Sequence, residues 1–167
     1  MKKKNIFLIG FFLFVFVVFG CVSTSIPVTK TYEDAADVLA NQLKPQLQKL
    51  SAQKNIKIAI LPFGGPKGKP TPFGKKMATV LQSKLFSQSW DLIERDQIDK
   101  ILNEKNLSAA GIIEDKDYIN TGSIAGADFI IMGTTYYGKK ALITARIVNV
   151  HNGSIEGIAQ VYLTFTK

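Results

Sequence analysis

The sequence predicts an α/β fold: a mixed β-sheet of about five strands with helices packed on it, preceded by an N-terminal helix. Three observations carry this. Apolar strand-like runs alternate with helical stripes between residues 57 and 134, the order that crossover connections produce. Two long strand-like runs then flank Asn152-Gly153, a dipeptide suited to the left-handed backbone of a hairpin turn. The last run keeps period two, with Ile155, Ala159, Val161, Leu163 and Phe165 on one face and Glu156, Gln160, Tyr162 and Thr164 on the other.

The first helix begins at Thr31, whose hydroxyl suits an N-cap, with Glu33 and Asp34 placed to meet the positive end of the helix dipole. Tyr32, Ala35, Leu39, Leu43, Leu47 and Leu50 follow at spacings of three and four, an apolar stripe meant for the sheet. Pro45 lacks an N–H and is expected to kink or split this helix. Lys57 to Phe63 reads as a strand stopped at Pro62, and Gly64 to Pro70 as a loop. Thr71 caps a second helix with Pro72 in its first turn, and Phe73, Met77, Val80, Leu81 and Leu85 form its inner face. Trp90 to Glu94 is a short strand. Asp96 is expected to cap a third helix with Ile98, Ile101 and Leu102 inward, and Asp115 to open a fourth that closes at Gly126. Phe129 to Thr134, Ala141 to Val150 and Ile155 to Phe165 complete the sheet.

Ahead of all this lies a leader. Lys2, Lys3 and Lys4 precede an apolar run from Ile6 to Phe19, too short for a bilayer span of ~20 residues but of signal-peptide length. Val18-Phe19-Gly20-Cys21 resembles the lipobox of bacterial lipoproteins, with Phe19 departing from the usual small residue. The expected organisation is a signal peptide at 1–20, a lipidated tether at 21–30 and a folded domain at 31–167. Cys21 is the single cysteine, so no intramolecular disulfide forms, and acylation there would anchor the chain to a membrane. Loss of the three leader lysines lowers the net charge from +8 to +5. The remaining lysines form no stripe of the kind nucleic acid requires, so no nucleic-acid partner is expected.

The chain offers little for catalysis. Gly64-Gly65-Pro66-Lys67-Gly68-Lys69-Pro70 follows a strand and precedes a helix, but it has three residues between its framing glycines where a P-loop needs four, and Pro70 replaces the metal-binding hydroxyl. The one histidine, His151, falls in the hairpin turn, and one His with one Cys cannot build the usual zinc site. Glu94/Asp96/Asp99 and Glu114/Asp115/Asp117 stand at helix starts, where acids have a structural reason to be. No enzyme activity, metal or cofactor is therefore expected. The candidate working surface is the proline-stiffened loop, with Lys67 and Lys69 to attract an acidic partner or anionic envelope polymer; the alternative is a connector that contacts nothing.

Ile58-Ala59-Ile60-Leu61-Pro62-Phe63, Leu92-Ile93-Glu94-Arg95-Asp96-Gln97-Ile98-Asp99-Lys100-Ile101-Leu102, Gly126-Ala127-Asp128, Gly133 and Arg146-Ile147-Val148-Asn149-Val150-His151-Asn152-Gly153 together resemble the periplasmic α/β domain shared by the curli-secretion lipoprotein CsgG, the penicillin-binding-protein activator lipoproteins and the flagellar outer-membrane lipoprotein FlgO. FlgO, which also has a helix before the first strand, is the nearest in pattern. The resemblance implies a non-enzymatic outer-membrane lipoprotein facing the periplasm, a scaffold or assembly factor whose partners are envelope or flagellar proteins, with homo-oligomers as an option. The alternatives are a penicillin-binding-protein activator or envelope-stress lipoprotein, and a component of a curli-like secretion system.

Overall fold

The computed structural model describes residues 25–104 and 114–164. The leader, Cys21 and Phe165 lie outside these residues. In chain order the elements are β1 (Val28–Thr29), α1 (Tyr32–Ser51), β2 (Lys57–Ile60), α2 (Pro72–Leu85), β3 (Asp91–Leu92), α3 (Arg95–Glu104), α4 (Asp115–Ile124), β4 (Phe129–Tyr136), β5 (Ala141–Asn149) and β6 (Ile155–Leu163). They build one mixed sheet in the order β1-β6-β5-β4-β2-β3. The five expected strands are present, and a sixth, β1, comes from the segment read as tether and pairs parallel with β6 through Val28↔Tyr162 and Thr29↔Leu163.

The chain leaves β2 outward to β3 and then returns past β2 to β4, so consecutive crossovers run in opposite directions along the sheet. Right-handed connections of opposite direction place their helices on opposite faces. Accordingly α1 and α2 cover one face, over Ile58, Ile60, Ile131, Ile143, Val161 and Leu163. On the other face α3 and α4 cover Ala59, Leu61, Ile130, Met132 and Val148. The predicted stripes pack as expected: Ala35, Leu39, Leu43 and Leu47 of α1, Met77, Leu81 and Leu85 of α2, and Ile98, Ile101 and Leu102 of α3 are all buried.

Several local expectations are corrected. Pro45 does not split α1, which runs unbroken for 20 residues. Pro45 and Asn41, four residues earlier, are both exposed, so the carbonyl deprived of its donor sits on the side of the helix that water reaches. Asp96 is not a cap but the second residue of α3, and Ile98 N–H bonds to the Glu94 carbonyl. Asp115 does open α4, as expected, and Glu114 precedes it as the cap, in a reciprocal capping box with Asp117. Alternation in β6 fails at its start: the register shifts between Ile147 and Val148, so Ile155 is half exposed instead of buried. Regular pairing of β2 ends at Ile60, yet Leu61 N–H still donates to the Ile131 carbonyl and Gly64 N–H to the Gly133 carbonyl. The interruption falls at Pro62, which has no N–H to give.

β6 would be an exposed edge along most of its length, and three devices close it. Gln42 Nε2 donates to the Gln160 carbonyl at 3.0 Å while its Oε1 accepts from Gln160 N–H at 3.0 Å. One turn later Gln46 makes the same pair of bonds to Ile158, at 3.2 and 3.1 Å. Beyond them, Tyr162 N–H donates to the Pro27 carbonyl and Thr164 N–H to the Thr29 carbonyl, both contributed by the β1 segment. Each glutamine amide thus stands in for one residue of a neighbouring strand. Gly157 makes room, since a Cβ there would collide with Gln46 Oε1.

Candidate contact surface

The loop after β2 is built as a closed turn. Gly65 N–H donates to the Lys69 carbonyl at 2.9 Å and Gly68 N–H to the Gly65 carbonyl at 2.9 Å, with Gly68 at φ 77°, a conformation that suits glycine. On the sheet side, the Gly64 N–H and carbonyl both bond β4, through Gly133 and Thr135. On the helical side, the buried Tyr118 of α4 donates its hydroxyl to the Gly68 carbonyl at 3.2 Å. Burial, with a smaller contribution from the Asp115 carboxylate, pushes the Tyr118 phenol up to about 12, so it keeps this proton at any physiological pH. The N–H groups of Gly64, Gly65 and Gly68, which would have to face a phosphate in a nucleotide site, are spent inside the protein.

Lys67 and Lys69 project from this turn, both exposed, as does Pro66. Their setting extends beyond the loop. Thr71 caps α2 by accepting from Gly74 N–H at 2.9 Å. From the start of that helix Phe73 packs against Tyr32 of α1 at 5.0 Å with the rings tilted by 41°, and meets Tyr137 of the β4–β5 turn edge-on at 5.8 Å. Lys76 Nζ lies 4.3 Å over the Tyr32 ring. The turn itself, Tyr137-Gly138-Lys139-Lys140, is exposed, and Tyr136 beside it is half exposed. Loop, α1 start, α2 start and β4–β5 turn therefore meet at one end of the sheet. The aromatic triad was missed from sequence because Tyr32 and Phe73 count equally well as core residues of their own stripes.

The other sequence-flagged groups are dispersed. Asp99 pairs with Arg95, whose guanidinium also reaches the Ile60 carbonyl. Asp115 forms a two-pronged pair with Arg146 of β5, and the Glu114 bond to Lys116 raises the lysine further above its ordinary range. His151 is exposed in the turn, 3.8 Å from Asp128. Asp128 instead bonds Lys54 Nζ at 2.8 Å and Lys57 N–H at 2.9 Å, and these bonds hold its carboxyl below the usual carboxylate range. Among the described residues no three His, Cys, Asp or Glu side chains form a metal-sized group. A second surface, also unmarked in sequence, is an open groove of about 960 Å³ between the end of α2 and β3, bordered by Phe86, Trp90, Leu92 and Arg95. Phe86 is 78% exposed there, while Trp90 is buried and donates to the Leu85 carbonyl.

The chain is a helix-clad mixed-sheet α/β domain whose loop, helix starts and β4–β5 turn gather at one end. Residues 39–145 match the family described as curli production assembly/transport component CsgG, and the chain belongs to that family. Among solved structures it is similar to the LpoB C-terminal domain from Salmonella enterica, with 9% identity, a TM-score of 0.57, and 80% of this chain and 98% of that one covered. The LpoB C-terminal domain from Escherichia coli gives 9% identity and a TM-score of 0.53, covering 75% and 98%. Lipoprotein GNA1162 from Neisseria meningitidis gives 16% identity and a TM-score of 0.50, covering 65% and 80%. At these identities the likeness is one of fold. No curated protein sequence matches the chain. None of the described helices is long and apolar enough to cross a membrane.

Proposed function

We propose that this chain is an outer-membrane lipoprotein, acylated at Cys21 and facing the periplasm, that acts without catalysis by binding an envelope assembly. The observation that carries the reading is the CsgG-family match over residues 39–145 on an LpoB-like fold. It favours the activator reading, in which the partner would be a peptidoglycan synthase, because the LpoB C-terminal domains share this fold over 80% and 75% of this chain. The Lys67/Lys69 loop supplies a pre-ordered contact whose turn is already closed, so little entropy is lost on docking. The test adds the mature chain to the host's purified bifunctional synthase and follows glycan polymerisation. A rate increase, reduced by Lys67→Glu/Lys69→Glu at unchanged melting temperature, is the expected result. No change in rate with the wild-type chain would remove the activator reading. The anchor has its own test: palmitate label should vanish in Cys21→Ser.

A FlgO-type role at the flagellar basal structure is the second reading, and a specific observation favours it. With β1 drawn into the sheet and the Pro27 carbonyl bonded to Tyr162 N–H, five residues lie between Cys21 and Pro27, six steps with a reach of about 20 Å at ~3.3 Å per residue. An anchor so short keeps the domain beside its own membrane. Deletion of the gene with loss of motility and intact synthase activity would select this role.

A further inference from the structure

We propose that the end of the domain bearing Lys67, Lys69, Lys76, Lys139, Lys140 and Tyr137 docks on an anionic phospholipid bilayer. The proposal rests on the reading above only in taking Lys67 and Lys69 as a contact loop, and it puts an anionic bilayer in place of the synthase as what that loop meets. Contacts already described bring three separate segments to this end: Gly64 pairs with β4 just before the β4–β5 turn, and Phe73 bridges Tyr32 to Tyr137. Five lysines there stand against Glu33 and Asp34 in the first turn of α1 and, through the Tyr118 bond to Gly68, the start of α4, where Asp115 is paired with Arg146 and Glu114 with Lys116. The first turn of α2 contains no acid. Charge complementarity thus calls for an anionic partner.

The residue types favour a lipid surface over an acidic protein. All the cations are lysines on flexible stems, suited to a diffuse layer of headgroups, whereas a shaped carboxylate site selects the arginine fork. Tyr136 and Tyr137, each half exposed beside Lys139 and Lys140, present the amphipathic rings that collect at membrane–water boundaries. The surface is a set of turns and helix starts at one end of the sheet. Acylation at Cys21 would hold the domain within reach of such a surface.

The experiment uses the mature chain from residue 21 with Cys21→Ser, which retains every core residue and carries no lipid, so binding is read independently of the anchor. It is sedimented with phosphatidylcholine vesicles with and without phosphatidylglycerol, at low and raised salt. Binding to the phosphatidylglycerol vesicles only, lost as salt rises and weakened roughly tenfold or more by either Lys67→Glu/Lys69→Glu or Lys139→Glu/Lys140→Glu, is the expected result. Glutamine versions of the same pairs, with melting temperatures alongside, guard against misfolding. Absence of binding at low salt, equal binding to neutral vesicles, or indifference to both pairs would overturn the proposal. If vesicles fail while Lys67→Glu/Lys69→Glu still impairs the synthase assay, the contact loop stands and its partner is an acidic protein.

Discussion

Two glycines do work that a larger residue cannot. A Cβ at Gly74 would overlap the Phe63 carbonyl oxygen, and one at Gly133 would enter the Phe63 ring, so the fully buried Phe63 is held between a helix start and a strand with no spare space. Gly74→Ala is expected to cost at least ~3 kcal/mol, seen as a lower urea midpoint at unchanged slope. Thr135 presents the opposite case. Its hydroxyl is buried with no partner among the described residues, so Thr135→Val should be neutral or stabilising by about 1 kcal/mol in the same titration. Asp128 makes the stability pH-dependent. Its folded pKa lies below the unfolded value, chiefly through the Lys54 bond and then the Lys57 N–H, so its contribution is complete above the ordinary carboxylate range and is lost as pH falls through the folded pKa. Wild type should therefore exceed Asp128→Asn in melting temperature at neutral pH, with the gap closing as the solution is acidified.

At the scale of elements, the α1–β6 contact is the least ordinary feature. A strand edge is usually protected by charge, twist or shortness. Here a helix lays two amides along it, Gln42 and Gln46, at the four-residue spacing that stacks side chains on one helix face. Glutamate at both positions preserves shape and the acceptor but loses the donor, setting a carboxylate oxygen against the Ile158 and Gln160 carbonyls. Gln42→Glu/Gln46→Glu should lose about 2–4 kcal/mol and expose those amides to hydrogen exchange. Full protection of Ile158 and Gln160 in that variant would show that the amides are not what closes the edge.

For the whole molecule, edge closure decides whether the sheet ends or continues. β3 terminates one side with two residues; β1 and the glutamines terminate the other. Beginning the chain at residue 31 removes β1 and leaves the Tyr162 and Thr164 N–H groups unpaired. Such a chain is expected to melt lower and to self-associate through β6, detectable as a concentration-dependent increase in mass by light scattering; a monodisperse monomer would argue that the glutamines suffice. The segment from Pro27 to Thr29 is thus part of the sheet.

The sequence by itself determined the elements and their buried faces. Stripes such as Leu39-Leu43-Leu47 and Ile98-Ile101-Leu102 are one-dimensional records of which side of a helix meets oil, and Thr31, Thr71 and Asn152-Gly153 mark ends through local backbone chemistry. Lys67 and Lys69 were legible as an exposed loop for the same reason, because prolines and glycines set turns locally. What only the tertiary structure decided depends on groups far apart in the chain. Val28–Thr29 has too few residues to carry a period and becomes a strand only because β6 offers it N–H and C=O partners some 130 positions away. Gln42 and Gln46 read as solvent-facing polar residues until β6 is laid beside them. Tyr32, Phe73, Tyr137 and the lysines around them become one surface only when the crossovers bring the starts of α1 and α2, the loop and the β4–β5 turn to the same end of the sheet, since pairing of that range is set by packing and not by local propensity.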